Sequence, residues 1–117
     1  MPYIKIEEAN RIKQELANAN SVCVKGESEF KSILTSIDDQ TFADDQMEMA
    51  KKYIQKKCFT IEQMKAITPI FSMDVDKLKM IKYMYDYSYQ QNRFYEFRGL
   101  LTFNSIQKEL DEFLVGK

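Results

Sequence analysis

Three stretches of this chain space apolar side chains at i, i+3 and i+7, and the stretches recur about every 30 residues. They are Phe30, Ile33 and Ile37; Met64, Ile67 and Phe71; and Phe94, Phe97 and Leu101, offset by 34 and then 30 residues. Steps of three and four put each triple on one face of a helix. Recurrence at a fixed period marks a repeated helical unit. A second helix follows each first one: Met47, Ala50 and Ile54 match Leu78, Ile81 and Tyr85, 31 residues later. The last unit is looser, with Ile106, Leu110, Phe113 and Leu114. Strand-like alternation is confined to Ile4–Ile6 and Val22–Val24. The pattern predicts an all-α fold: a compact bundle of six or seven short helices arranged as three repeated helical hairpins. A short α-solenoid is the alternative; the chain has no tryptophan, and the tetratricopeptide signature is missing.

Start and stop signals support this division. Thr60-Ile61-Glu62-Gln63 reads as a capping box, in which the threonine hydroxyl and the Gln63 side chain each satisfy a backbone N–H. Asn104 to Gln107 reads the same way. Asp44 and Asp74 read as acidic caps of second helices, complementing the positive end of the helix dipole. Pro69 predicts a kink or early fraying near Thr68. Gly99, 30 residues later, weakens the matching turn, and close approach of a neighbouring helix would account for both. Glu7 to Ala19 reads as a leading amphipathic helix through Ala9, Ile12 and Leu16, and Asn20 to Glu27 as a linker containing Gly26. The expected division is therefore 1–27, a helical segment and linker, and 28–117, the hairpin domain.

Bulk properties exclude several functions. A chain of 117 residues is one domain by size, and 44% apolar with 30% charged residues describes a globular protein. The formal charge is −1, so nothing draws the chain to nucleic acid or to an anionic membrane surface. No run of about 18 apolar residues exists to span a bilayer. Met1 to Glu8 holds no apolar signal core, which makes a cytoplasmic chain the default and an exported one the expectation if a leader has been removed. Cys23 and Cys58 read as two free, buried thiols in preference to one disulfide. They show no zinc spacing.

The stretch Phe71-Ser72-Met73-Asp74-Val75-Asp76-Lys77-Leu78 resembles the helical family catalogued as domain of unknown function 4476, as do Thr60-Ile61-Glu62-Gln63-Met64 and Phe103-Asn104-Ser105 with Leu110. The likeness covers roughly residues 30–114. It departs from the family's pattern around Asn92–Arg93, where an Asp-containing linker is usual. The resemblance implies an all-helical module, common in Bacteroidetes proteins and often attached to an exported chain. It implies no activity, so it transfers no catalytic residue.

The chemistry on offer is narrow. There is no histidine, which removes Ser-His-Asp and Cys-His nucleophiles and the usual imidazole ligand. With three glycines there is no phosphate-cradling loop. Asp38, Asp39, Asp44 and Asp45 cluster, and Asp74 and Asp76 share a similar turn, but the calcium-loop spacing is absent. These acids read as caps and solvated turn. Lys77, Lys79 and Lys82 read as the wet face of a helix. Met47, Met64, Met80 and Met84 read as gap fillers in the core.

The aromatic run from Tyr83 to Phe97 holds seven of the chain's 15 aromatics. Tyr85, Phe94 and Phe97 fit the core stripe. Tyr83 and Tyr87 stand four apart and meet on another face. Tyr89 and Tyr95 flank the loop Gln90-Gln91-Asn92. Exposed tyrosines are large, rigid and polar at the tip, which suits recognition. The expected function is therefore a non-catalytic protein-interaction module that meets a protein or peptide partner through Tyr83, Tyr87, Tyr89 and Tyr95. A structural or dimerisation domain is the alternative, with a homodimer in view. An enzyme built on paired carboxylates, for example Asp45 and Asp76, is the weakest reading. No cofactor, metal or catalytic residue is expected.

Overall fold

The computed structural model describes residues 26–117. In order these form α1 (Glu27–Asp38), α2 (Ala43–Lys56), α3 (Ile61–Ile67), a 3-10 turn η1 (Thr68–Ile70), α4 (Asp74–Tyr85), a longer 3-10 segment η2 (Gln91–Leu100) and α5 (Asn104–Val115). Among the described residues there is no strand, so the all-α bundle is what the protein adopts. The expected leading helix Glu7–Ala19, nearly all of the linker, and both short extended pieces lie outside the described residues.

The apolar stripes build the core. Ile33, Ile37, Met64, Ile67, Phe71, Phe94, Phe97 and Leu101 are buried, and Phe30 is half-buried against them. Ala50, Ile54, Leu78, Ile81 and Leu110 come in from the second helices. Met64, Met80 and Met84 are fully buried, where flexible thioethers fill the gaps between rings. Each large side chain buried this way contributes about 1.5–3 kcal/mol.

Long-range polar contacts fix how the elements lie. Gln55, near the end of α2, donates to the Tyr83 hydroxyl near the end of α4. Lys51 sits 5.0 Å from the centre of the same ring. So the C-terminal half of α2 lies beside the C-terminal half of α4. The Asp74 carboxylate, opening α4, accepts from the backbone N–H groups of Thr102 and Phe103, just before α5. At the far end the Tyr85 and Phe113 rings meet edge to face with centroids 5.5 Å apart. Helices α4 and α5, joined at both ends, are therefore parallel. A second layer follows the same rule: Arg93 of η2 pairs with Glu62 of α3, and Lys65 with Glu96, near-equal steps along both segments. Gln90 accepts from the Ile61 N–H at the start of that seam. Helix α1 lies against α2, η1 against α4, and η2 against α5.

Several local expectations change. The Thr60 capping box forms in full. The second helices, however, start behind apolar residues: Phe42, Met73 and Phe103 occupy the N-cap positions and make no side-chain cap. Asp44 and Asp74 fall in the first turn instead, where they still complement the dipole. The Asn104 box does not form, because Gln107 turns away to donate to the carbonyls of Arg98 and Leu101. Pro69 acts as expected: α3 tightens into 3-10 geometry at Thr68, whose hydroxyl donates to the Met64 carbonyl. Gly99 has open space where a Cβ would stand, so close helix approach does not explain it. Cys58 is half-buried and disulfide-bonded, which corrects the free-thiol expectation for that residue; Cys23 lies outside the described residues.

The segment after Gln90 is the main surprise. Its i, i+3 apolar spacing suggested an α-helix, but ten residues run as 3-10. With three residues per turn, positions three apart eclipse. Phe94 and Phe97 then face the core together, Arg93 and Glu96 face α3, and Asn92, Tyr95 and Arg98 form the third side. Spacing of three cannot distinguish the two helix types.

Candidate functional site

The four tyrosines come from two elements and the turn between them. Tyr83 and Tyr87 lie at and just beyond the end of α4, with ring centroids 5.2 Å apart and planes tilted by 33°. Tyr83 is half-buried, fixed by Gln55 and covered by Lys51; Tyr87 is exposed. The hydrogen bond between the two phenols holds the Tyr87 hydroxyl above its ordinary pKa. Tyr89 is exposed in the turn after α4, and Tyr95 is exposed on the third side of η2. Among the described residues no ring contact joins either of them to the Tyr83–Tyr87 pair. The structure thus assembles two of the four into one patch. The part that Gln55 and Lys51 play in it, from 28 and 32 residues away in sequence, left no local signal.

The family-like element Phe71–Leu78 proves to be a junction. Phe71 and Leu78 are buried. The Asp74 side chain, 4% exposed, takes two 2.8 Å hydrogen bonds from Thr102 and Phe103. Lys77 is not on the wet face: its side chain is 15% exposed, lies 3.9 Å from Asp74 and donates to the Leu100 carbonyl. The two charges hold α4 to the loop that launches α5. Lys82 is also drawn in, to 5.5 Å from the Phe113 ring, while Lys79 faces solvent as expected.

Between α3 and η2, Glu96 is gripped by Arg93 and Lys65, at 2.7 and 2.9 Å. The Arg93 guanidinium, with help from Lys65, pulls the Glu96 carboxyl down to about 2 from 4.5. Glu62 is lowered by its own backbone N–H and then by Arg93. Because the folded value is depressed, this stabilisation is present above about pH 4.5 and is lost as pH falls towards 2. Arg93→Ala should therefore lower the thermal midpoint at pH 6, and the gap from the parent should close steadily below pH 4.5. A gap that holds constant down to pH 2 would show the pairs to be unimportant.

A shallow cavity of about 340 Å³ separates α1 from α3 and η1, lined by Leu34, Thr35, Asp38, Ala66, Pro69 and Ile70. Neither Asp45 nor Asp76 lines it. Sequence reasoning also missed a set of exposed apolar residues at the starts of the second helices: Phe42, Met73, Val75 and Phe103. The recurrence of a large apolar residue directly before each second helix was the signal available. Among the described residues no cluster of acidic or sulfur side chains is placed to hold a metal ion, and no helix is long and apolar enough to cross a membrane.

A family model described as domain of unknown function (DUF4476) matches residues 24–114. No curated protein and no solved structure matches the chain. With the Phe71–Leu78 junction at its centre and the match spanning most of its length, this chain belongs to the DUF4476 family.

Proposed function

We propose that this protein is a non-catalytic protein-interaction module, that its three helical pairs are one repeated unit, and that the tyrosines after α4 form a contact face. The carrying observation is the Tyr83–Tyr87 pair. Two tilted rings are in contact, Tyr83 anchored to α2 through Gln55 and Tyr87 left in solvent. A pre-ordered aromatic loses little entropy on binding and presents both an apolar ring and a polar tip. Tyr89 and Tyr95 add exposed aromatic area beyond the pair. Support for a non-catalytic role comes from the charged residues of the family-like element. Asp74 and Lys77 are occupied in holding helices together.

The test uses peptides selected against the whole domain from a displayed library. Tyr87→Ala should weaken the best binders at least tenfold, about 1.4 kcal/mol, the size of an aromatic anchor. The thermal midpoint should move by less than about 2 °C, because Tyr87 is 44% exposed. Selected peptides that bind Tyr87→Ala as tightly as the parent would remove the tyrosine face.

A further inference from the structure

We propose that Cys58 is joined to Cys23, and that this bond is a redox-sensitive latch holding α1 on the bundle. Cys58 is disulfide-bonded, and the chain's one other cysteine is Cys23. The start of α1 lies close by. Cys58 stands in the turn between α2 and α3, and both of its neighbours in sequence reach back to the first turn of α1. Lys57 pairs with Glu29 at 3.0 Å, and the Phe59 ring meets Phe30 edge to face with centroids 6.1 Å apart. Gly26 is the N-cap of α1, and Cys23 comes three residues before it. Three residues of chain span at most about 11 Å. A disulfide needs its two Cα atoms within about 7 Å, so a tether this short, starting this near Cys58, suits the pairing.

Helix α1 is the element with most to gain from a fastening. It gives Ile33 and Ile37 to the core and lies against α2. Towards α3 and η1, however, the cavity between Leu34 and Pro69 denies it close packing. The Lys57–Glu29 pair is part-exposed, at 34% and 45%, and such pairs hold little. The bond closes a loop of about 35 residues that contains α1 and α2, and closing a loop of that length restricts the opened chain. The exchange chemistry balances with a disulfide donor. One cysteine thiolate attacks the donor's disulfide, the second displaces the donor's sulfur, and two electrons and two protons leave in the donor's two thiols. A dithiol reductant runs these steps backwards and ends as its own disulfide. Oxidising compartments keep the latch closed and reducing ones open it. Once open, α1 is the first helix to leave, baring the apolar surface that Ile33 and Ile37 cover. The latch shares no residue with the tyrosine face and does not rest on it.

Two measurements on the full chain test it. Proteolysis without reductant, read by mass spectrometry, should release a cross-linked peptide pair carrying Cys23 and Cys58, and the unfolded, unreduced chain should show no free thiol. Hydrogen exchange then reads the latch. In the oxidised chain the Ile33 and Ile37 amides of α1 should be protected as well as those of Ile81 in α4 and Leu110 in α5. With a dithiol reductant they should exchange at least about tenfold faster than Ile81 and Leu110, the mark of α1 opening by itself. Reduction should also lower the thermal midpoint by roughly 10 °C or more. Cys23→Ser should reproduce the reduced chain and no longer respond to reductant. Free thiols in the unreduced chain, or Cys58 bonded to a second copy or to a small thiol, would overturn the pairing. Amides of α1 that stay as protected as those of α4 and α5 after reduction would overturn the latch.

Discussion

Phe97→Ala should cost the domain about 3–5 kcal/mol, the range for deleting a fully buried ring. For a domain of this size that corresponds to a fall of roughly 15–25 °C in the thermal midpoint. Total stability is on the order of 5–15 kcal/mol, so the variant should be partly unfolded at moderate temperature. The reason is local as well as global. Hydrogen bonds in 3-10 geometry are poorer than those of an α-helix, and long 3-10 runs are uncommon. The ten residues of η2 are therefore held chiefly by their inward rings. Phe97 is fully buried, 4.7 Å from the centroid of Phe94, which in turn meets Tyr85. Removing it leaves a void that the segment cannot close without giving up its α3 contacts. Tyr95→Ala is the control, on the same segment but 65% exposed. It should move stability by less than about 0.5 kcal/mol. Chemical denaturation of both variants reads the contrast, and equal losses would mean that η2 does not present Phe97 to the core.

Asp74→Asn should cost about 2–4 kcal/mol. Hydrogen bonds to an ionised acceptor are worth about 1.5–3 kcal/mol each, and this carboxylate takes two from backbone N–H groups. Both N–H groups meet the same carboxylate oxygen, so the amide oxygen can still accept from them, but without the charge that strengthens those bonds, and the amide NH2 turns towards Lys77. It also leaves Lys77, 15% exposed, without its anion. Amide exchange gives a readout beyond the midpoint. Thr102 and Phe103 precede α5 and have no helical partner, yet both should be protected in the parent. In Asp74→Asn they should exchange faster while Phe97 and Leu110 amides keep most of their protection. Thr102 and Phe103 amides that exchange freely in the parent would show that the clamp is not closed.

These two residues mark where the sequence was readable and where it was not. Phe97 belonged to a stripe whose period alone declared it buried, and nearly every stripe residue went to the core. Hydrophobic periodicity is a local property, so local reading finds it. Asp74 was legible as an acid near a helix start, but its real partners lie 28 and 29 residues on. The same limit hid the inward turn of Lys77, the Gln55 hydrogen bond to Tyr83, and the seam that Arg93 and Glu96 make with Glu62 and Lys65 of α3. Each depends on which helix lies beside which. Tyr83 and Tyr87 were legible as an i, i+4 pair. Phe42, Met73 and Phe103 were not legible as exposed, because an apolar residue before a helix reads as part of the core until its surroundings are known.

The parallel course of α4 and α5, with the end of α2 beside the end of α4, supports the junction and the tyrosine patch alike. It is tested most directly by nuclear Overhauser contacts in the whole domain. The Tyr83 ring should show contacts to the Gln55 and Lys51 side chains, and the Phe113 ring to Lys82 and Tyr85, in the same spectrum. Contacts from Tyr83 or Phe113 to residues at the starts of the neighbouring helices, such as Phe42 or Met73, would mean that the helices run antiparallel and would contradict the account.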